Sequence, residues 1–212
     1  MFAQMPPATR ALLILLVLAY GLQQLWPAPM LAHFGLWPDV GPILLERGPP
    51  PLYAQFELWQ FLSHGFLHGG LGHLLLNGLA LLMFGAVLEQ VWGGQRFVLF
   101  FLVCVIGGGL MQWALTAPPE GQQVSVTLGA SGGIFGVLGA YAVRFPKARV
   151  MLLIPPIPMP AWLLVAIFAV ASTVLGFTGM VPGIAHFAHL GGLLTGLAVY
   201  ALIARNWGRP PG

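Results

Sequence analysis

The chain has 212 residues, of which 58% are hydrophobic and only 6% are charged, and its formal net charge is +3. Soluble domains carry about a quarter charged residues, so this composition excludes an ordinary water-soluble domain and indicates a protein that lies in the lipid bilayer. The small, scattered basic charge gives no sign of nucleic-acid binding, and the single cysteine, Cys104, cannot form an internal disulfide.

Six apolar segments are predicted to be transmembrane helices. A helical span needs roughly 20 mostly apolar residues, and lipid-exposed backbone must satisfy its own hydrogen bonds, which favours helices. The predicted fold is therefore an all-α, six-helix membrane bundle that forms a single domain over residues 1–212. The predicted spans are residues 9–25, 71–91, 97–116, 131–143, 161–178 and 185–203.

The first of these segments has a second interpretation. Arg10 is compatible with the basic region of a secretory signal peptide, and "APMLA" (Ala28 to Ala32) with its cleavage site. Removal of that segment would leave the other five spans in place.

Two connections between the predicted spans are long. Residues 26–70 are rich in tryptophan and proline and are amphipathic, so part of this connection is predicted to lie in the membrane interface. "RFPKARVMLLIPPIPMP" (Arg144 to Pro160) is predicted to be a cytoplasmic loop, because its prolines bar a continuous helix.

The distribution of basic residues predicts the orientation. Short cytoplasmic loops are enriched in Lys and Arg, so both termini are predicted to be cytoplasmic. The basic residues on that side of a six-span chain are Arg10, Arg96, Arg144, Lys147, Arg149, Arg205 and Arg209. The opposite side has Arg47 together with Asp39, Glu46, Glu57 and Glu120.

Four polar side chains fall at a similar predicted depth. Ser131 precedes Arg144 by thirteen residues, or about 20 Å of helix, in a hydrocarbon core about 30 Å thick. The same counting, from the basic or acidic ends of their own spans, places His189, His73 and Asn77 close to the level of Ser131, in the outer half of the membrane. Polar groups at such depth are costly and usually face a bundle interior or a wet cavity.

The four residue types are those of acyl-transfer chemistry. A nucleophilic hydroxyl needs a base within hydrogen-bond reach and donors for the developing oxyanion. Ser131 is the predicted nucleophile, at a helix N-terminus where free N–H groups favour negative charge. His189 is the predicted base, and Asn77 and His73 are donors of the oxyanion-hole type.

Small residues are expected to bring the two helices together. Gly129, Gly132 and Gly133 allow a tight turn around the serine. Gly132 and Gly136 form one GxxxG pattern, and Gly192 and Gly196 form another on the face of His189. "GASGG" can equally be a packing stripe with no catalytic role. Its match to the G-x-S-x-G elbow of soluble hydrolases is accidental, because no strand precedes it.

Other chemistries are less well supported. Asp39 is the only aspartate and HExxH is absent, which excludes an aspartyl dyad and the common zinc-protease helix. The pairs His64 and His68, and His186 and His189, leave a metal site or a metal transporter open. The simpler interpretation of His64 and His68 is interfacial side chains hydrogen-bonded to loop carbonyls.

Three motifs resemble the rhomboid family of intramembrane serine proteases, in the order that the family has them. They are "ELWQFLSHGFLHGGLGHLLLNGLALL" (Glu57 to Leu82), with His73 and Asn77, then "GASG" (Gly129 to Gly132), then "AHFAHLGGLLTG" (Ala185 to Gly196). The resemblance spans about residues 57–203. It implies a Ser131–His189 dyad without an aspartate. It also implies an oxyanion hole formed by the Ser131 N–H, Asn77 and His73, and a substrate that is a transmembrane helix of another protein.

Two positions depart from the family pattern. The family loop motif is Trp-Arg, whereas this chain has Trp59-Gln60, which puts the usual hydrogen-bonded anchoring of the loop in question. The family often has a tyrosine one turn after the serine, stacked on the histidine, and this chain has Phe135. A phenyl ring can still stack but lacks the hydroxyl.

The sequence thus predicts an intramembrane serine protease without cofactor or metal, in a bacterial inner membrane, with a polar cavity open to the outer side. Helix 161–178 and loop 179–184 are candidate moving parts for substrate entry. The alternatives are a catalytically silent rhomboid-like protein that binds membrane clients, and a small-solute transporter, against which the absence of an inverted repeat argues weakly.

Overall fold

The computed structural model describes residues 5–46, 49–116, 124–151, 156–181 and 183–207. The charged residues Arg47, Glu120 and Arg209, and one residue of the loop 179–184, lie outside these described residues. The helices in chain order are α1 (Pro7–Leu25), α2 (Pro27–Phe34), α3 (Gln60–Ser63), α4 (Leu71–Ala80), α5 (Ala86–Trp92), α6 (Gly94–Leu115), α7 (Ser131–Arg144), α8 (Ala161–Thr178) and α9 (His186–Leu202).

Each of the six segments predicted to span the membrane is a helix. The second of them is continuous over Leu71–Trp92, because a π-helical turn at Leu81–Gly85 joins α4 to α5. Four helices of the described chain are long and apolar enough to cross a membrane: α1, Leu71–Trp92, α6 and α8. The helices α7 and α9 are shorter, with 14 and 17 residues. The chain is therefore a mainly helical membrane protein, and the count of six spans remains a prediction.

Two small sheets accompany the predicted helices, in the connections between them. In the first long connection, β1 (Ile43–Glu46) pairs antiparallel with β2 (Leu52–Ala54). In the segment Arg144 to Pro160, β3 (Arg149–Met151) pairs antiparallel with β4 (Pro158–Pro160). A two-stranded ladder consists only of edges, where prolines such as those of β4 are tolerated. The described residues of this segment after Arg144 form no helix, as the prolines predicted, and include two short strands.

The centre of the bundle is formed by α6, α7 and α9, whose backbones come into direct contact at several glycines. A Cβ on Gly196 would lie 2.5 Å from the Cα of Gly136, and a Cβ on Gly192 would collide with the carbonyl oxygen of Gly132. On α6, a Cβ at Gly108 would lie 3.1 Å from the Cα of Gly132. Small residues at these positions let the helices approach backbone to backbone.

Buried polar side chains fix α1 at both of its ends. At the start of α1, the Glu89 carboxylate accepts hydrogen bonds from the N–H groups of Ala8 (2.8 Å) and Thr9 (2.6 Å). Near its end, the Gln23 amide donates to the carbonyl oxygen of His68 (2.8 Å) and accepts from its N–H (2.9 Å). The second contact ties α1 to the segment that leads into α4, and thereby to the site described next.

Candidate active site

Ser131 is the first residue of α7 and follows a backbone turn that only glycine adopts readily. Gly129 has φ +124°, and a Cβ there would lie 2.6 Å from Cε1 of His73. The Gly129 N–H donates to the carbonyl oxygen of His64 at 2.9 Å, which ties this turn to the first long connection. The turn therefore needs glycine both for its conformation and for the space beside His73.

His189 lies in the first turn of α9, directly opposite Ser131. Its Nε2 is 2.9 Å from the Ser131 Oγ, within hydrogen-bond distance. The glycine contacts between α7 and α9 make this distance accessible, since any larger residue at Gly192 or Gly196 would force the helices apart. With Nε2 unprotonated, the imidazole can accept the serine proton.

The His73 and Asn77 side chains, one turn apart on α4, lie next to the turn that precedes Ser131. The ideal Cβ position of Gly129 is 2.8 Å from the His73 Nε2 and 3.7 Å from the Asn77 Nδ2. Asn77 is only 6% exposed, and its Nδ2 has no hydrogen-bond partner within the described chain. A buried amide donor without a partner is costly, so its position beside the serine suggests a ligand that it serves.

These four side chains share one cavity of about 760 Å³. Its wall is completed by the segment before the serine, the start of α4, the end of the loop before α9, and one side chain of α6. Examples from these parts are Ser125, Leu128, Gly70, Ile184 and Gln112. The cavity therefore brings together a hydroxyl, two imidazoles and an amide donor from three different helices.

Comparison with known proteins shows the family of this chain. A Rhomboid domain model matches residues 55–206 of the chain. The chain belongs to the rhomboid family. It is 31% identical to RHOMBOID-like protein 4 of Arabidopsis thaliana, over 72% of the chain and 36% of that relative. It is 34% identical to the mitochondrial Rhomboid protein 1 of Saccharomyces cerevisiae, over 64% of the chain and 39% of the relative.

A bacterial relative is also similar. Rhomboid protease GluP of Bacillus subtilis is 33% identical, over 72% of the chain and 27% of that protein. The chain thus matches well under half the length of each of these three relatives. The residues that the Rhomboid domain model matches include all of the residues named above as lining the cavity, among them His73 and His189.

The departure from the rhomboid Trp-Arg motif does not leave the loop without an anchor. The Gln60 side chain is fully buried, and its Nε2 donates to the carbonyl oxygen of Gln55 at 2.9 Å. Its Oε1 accepts from the backbone N–H of Trp37 at 3.2 Å. Gln60 therefore holds the loop through its own amide. The sequence did not reveal this, because one of the two partners, the Trp37 N–H, lies 23 residues before Gln60.

Phe135 stacks on the histidine, as a rhomboid tyrosine would be expected to. The two ring centroids are 4.3 Å apart and the rings are inclined by only 9°. Phe135 also contacts Phe168 of α8, with 5.6 Å between the ring centroids. The imidazole plane is thus fixed by a phenyl ring, and α8 is the element that supports that ring.

The predicted hydrogen bond to a carbonyl oxygen of the first long connection is present for His64, and the side chains of His64 and His68 are both buried. Both are 1% exposed, and the His64 Nδ1–H donates to the carbonyl oxygen of Gln60 at 2.7 Å. Burial lowers the pKa of His64 to about 4, so this ring stays neutral at physiological pH. The His68 ring lies edge-on to His73, with 5.1 Å between the centroids. Within the described ranges, no group of three or more metal-ligand side chains lies together.

Gln112 of α6 is a site residue that the sequence analysis did not single out. It lines the cavity, and its Oε1 accepts a hydrogen bond from the Ala188 N–H at 3.0 Å. The signal that could have found it is the one that revealed Asn77, namely a polar side chain inside an apolar span.

Proposed function

We propose that this protein is an intramembrane serine protease that cleaves transmembrane segments of other membrane proteins with a Ser131–His189 dyad. The observation that carries the proposal is the 2.9 Å contact between the His189 Nε2 and the Ser131 Oγ inside the shared cavity. Family membership supports it independently, and one of the similar proteins is named a rhomboid protease.

The proposed chemistry follows from the positions of the donors. The Ser131 Oγ attacks the scissile carbonyl carbon while its proton moves to the His189 Nε2. The carbonyl oxygen becomes an oxyanion, which the Ser131 N–H, the Asn77 Nδ2 and the His73 ring stabilise. The C–N bond then breaks as His189 returns the proton to the leaving amine. Water, deprotonated by His189, attacks the acyl ester and releases the second product and the free serine.

The proposal includes a membrane arrangement. The domain spans residues 1–212, with six membrane-crossing helices, cytoplasmic termini and a cavity that opens toward the outer side of a bacterial inner membrane. The short length of α7 supports a position of Ser131 below the membrane surface. Its 14 residues extend about 21 Å, so the N-terminus of α7 would lie inside a hydrocarbon core of about 30 Å. The helix α8 and the loop 179–184 are the proposed moving parts, because few residues of α8 are buried and because its Phe168 supports Phe135.

The proposed substrate is a transmembrane helix that unwinds near its outer end. A scissile peptide must leave its helical hydrogen bonds to reach Ser131. Glycine or proline near the cleavage site lowers the cost of that unwinding by about 1 to 3 kcal/mol per residue relative to alanine. Membrane-protein segments with such residues are therefore the substrates to test first.

The test compares the purified, reconstituted protein with its Ser131→Ala variant, using a panel of single-span reporter proteins and mass spectrometry of the products. Ser131→Ala is expected to abolish cleavage without loss of folding, because it removes only the nucleophilic oxygen. Ser63→Ala is the matched control, since Ser63 donates to the Phe34 carbonyl oxygen outside the cavity. Unchanged cleavage by Ser131→Ala would refute the mechanism.

A fluorophosphonate probe separates the protease from a catalytically silent client-binding protein. The probe reacts only with an activated serine, so the protease is expected to be labelled at Ser131 and the His189→Ala variant is not. Absence of labelling in the folded wild-type protein would support the silent alternative.

A further inference from the structure

The helix that carries His189 lacks a side-chain cap of its own. The N-cap residue of α9 is Ala185, which has no side-chain hydrogen-bond acceptor, and the structure shows no side-chain cap there. Free N–H groups at a helix start are normally satisfied by a side chain or by water. Here the Ala188 N–H donates within its own chain segment to the Ala185 carbonyl oxygen at 3.0 Å. It also donates to the Gln112 Oε1 at 3.0 Å.

Gln112 thus acts as a cap supplied by another helix. Thr116 fixes the orientation of the Gln112 side-chain amide. The Gln112 Nε2 donates to the Thr116 Oγ1 at 3.4 Å, and the Thr116 hydroxyl donates to the backbone carbonyl oxygen of Gln112 at 2.6 Å. An acceptor near a helix N-terminus also interacts favourably with the helix dipole.

The same stretch of α6 also packs against the carbonyl group of Ala188. A Cβ on Gly108, one turn before Gln112, would lie 2.7 Å from the Ala188 carbonyl oxygen. A Cβ on Gly191 would lie 2.7 Å from the Gly107 carbonyl oxygen. The residue directly before His189 is therefore held by α6 at its N–H through a hydrogen bond and at its C=O through close packing.

We propose that Gln112 is a positioning residue that sets the place of the His189 imidazole by capping α9 from α6. The inference rests on the proposed function, in which the His189 Nε2 must stay within reach of the Ser131 Oγ. Small misplacements of catalytic groups lower rates steeply, by about 100-fold for 1 Å. A single hydrogen bond at the residue before His189 is thus sufficient to affect turnover.

Gln112 also lines the cavity, so a direct contact with substrate is the competing role. The two roles predict different kinetics. A positioning residue changes kcat with little effect on KM, whereas a substrate contact used equally in ground and transition states changes KM.

The experiment uses two substitutions of nearly equal size in the full-length, reconstituted protein. Gln112→Met removes the strong acceptor and keeps the length of the side chain, whereas Gln112→Glu keeps an oxygen at the same position. Gln112→Met is expected to lower kcat about tenfold with KM within about twofold, and Gln112→Glu to stay within about threefold of wild type. The control is Leu110→Ala, an exposed position on the same helix.

Hydrogen–deuterium exchange gives a readout that does not depend on activity. The peptide that contains residues 185–189 is expected to exchange faster in Gln112→Met and at the wild-type rate in Gln112→Glu. Wild-type kcat and exchange in Gln112→Met would overturn the proposal, and so would a rise in KM alone. If the wild-type protein cleaves no reporter, the proposed protease function fails, while the exchange comparison still decides whether Gln112 caps α9.

Discussion

At the scale of single residues, Asn77 has a buried donor without a partner at the candidate active site. It is buried, its Nδ2 has no partner among the described residues, and it lies beside the turn that leads to Ser131. A structural asparagine in an apolar bundle would be expected to use its donor in the folded protein, as Gln23 and Gln60 do. The orphan donor is instead suited to an oxyanion that exists only during the reaction.

The corresponding prediction is that Asn77→Ala lowers kcat by about 100- to 1,000-fold, the usual cost of removing one oxyanion donor. Because the Nδ2 makes no hydrogen bond in the described structure, thermal unfolding in detergent should change little. Leu75→Ala is the control, on the same helix but 62% exposed. A near-normal kcat for Asn77→Ala, in a protein that Ser131→Ala inactivates, would remove Asn77 from the oxyanion hole.

The four side chains that share the cavity could be grouped from the sequence because polar residues are so rare in this chain. Counting helix rise from a charged end was enough to group Ser131, His189, His73 and Asn77. The roles of Gln60 and Gln112 could not be predicted in this way. Their partners are backbone groups of Gln55, Trp37 and Ala188, whose positions depend on how loops and helix ends fold back.

At the scale of elements, the contact between α7 and α9 decides whether the dyad forms. A methyl group on Gly192 would collide with the carbonyl oxygen of Gly132, which cannot move without its helix. Gly132 follows Ser131 directly, and Gly192 lies one turn after His189. Any separation of these two backbones therefore lengthens the distance between the Ser131 Oγ and the His189 Nε2.

Gly192→Ala is accordingly expected to destabilise the protein by about 1 to 3 kcal/mol, the usual cost of overpacking, and to reduce cleavage further than the loss of folded protein explains. Gly21→Ala on α1 is the matched control, because nothing lies within 4 Å of a Cβ there. That control should be neutral or stabilising by up to about 1 kcal/mol. Both effects are measured by thermal unfolding in detergent and by initial cleavage rates; equal behaviour of the two variants would contradict the packing argument.

Helices were predictable at this scale and strands were not. The predicted segments 71–91 and 161–178 became Leu71–Trp92 and Ala161–Thr178, because a long apolar run specifies a membrane helix by composition alone. The pair β3 and β4 contains only three residues in each strand, and one of the strands is Pro158–Met159–Pro160. Ladders this short are formed by the closure of the surrounding loop, which leaves no periodic pattern to recognise.

At the scale of the whole molecule, side-chain contacts bring several basic helix ends to one end of the bundle. Glu89, at the end of the second long helix, caps the start of α1, which carries Arg10. Arg96, at the start of α6, stacks over Trp207, which follows α9, at 5.8 Å. The serine, the Gly129 turn and the first long connection come together through the hydrogen bond from Gly129 to His64. The two groups of contacts involve opposite ends of the long helices, so the orientation predicted from the basic residues would put the cavity on the outer side.

The orientation can be tested with cysteine labelling, because the chain contains a single cysteine and Cys104 is fully buried on α6. A membrane-impermeant maleimide should therefore leave the wild-type protein unlabelled in intact cells. Asp39 lies exposed in the first long connection, and Lys147 lies exposed after α7. Asp39→Cys is expected to react in intact cells, whereas Lys147→Cys should react only after the membrane is permeabilised. The reverse pattern would place the basic residues outside, contrary to their usual retention on the cytoplasmic side, and would turn the cavity toward the cytoplasm.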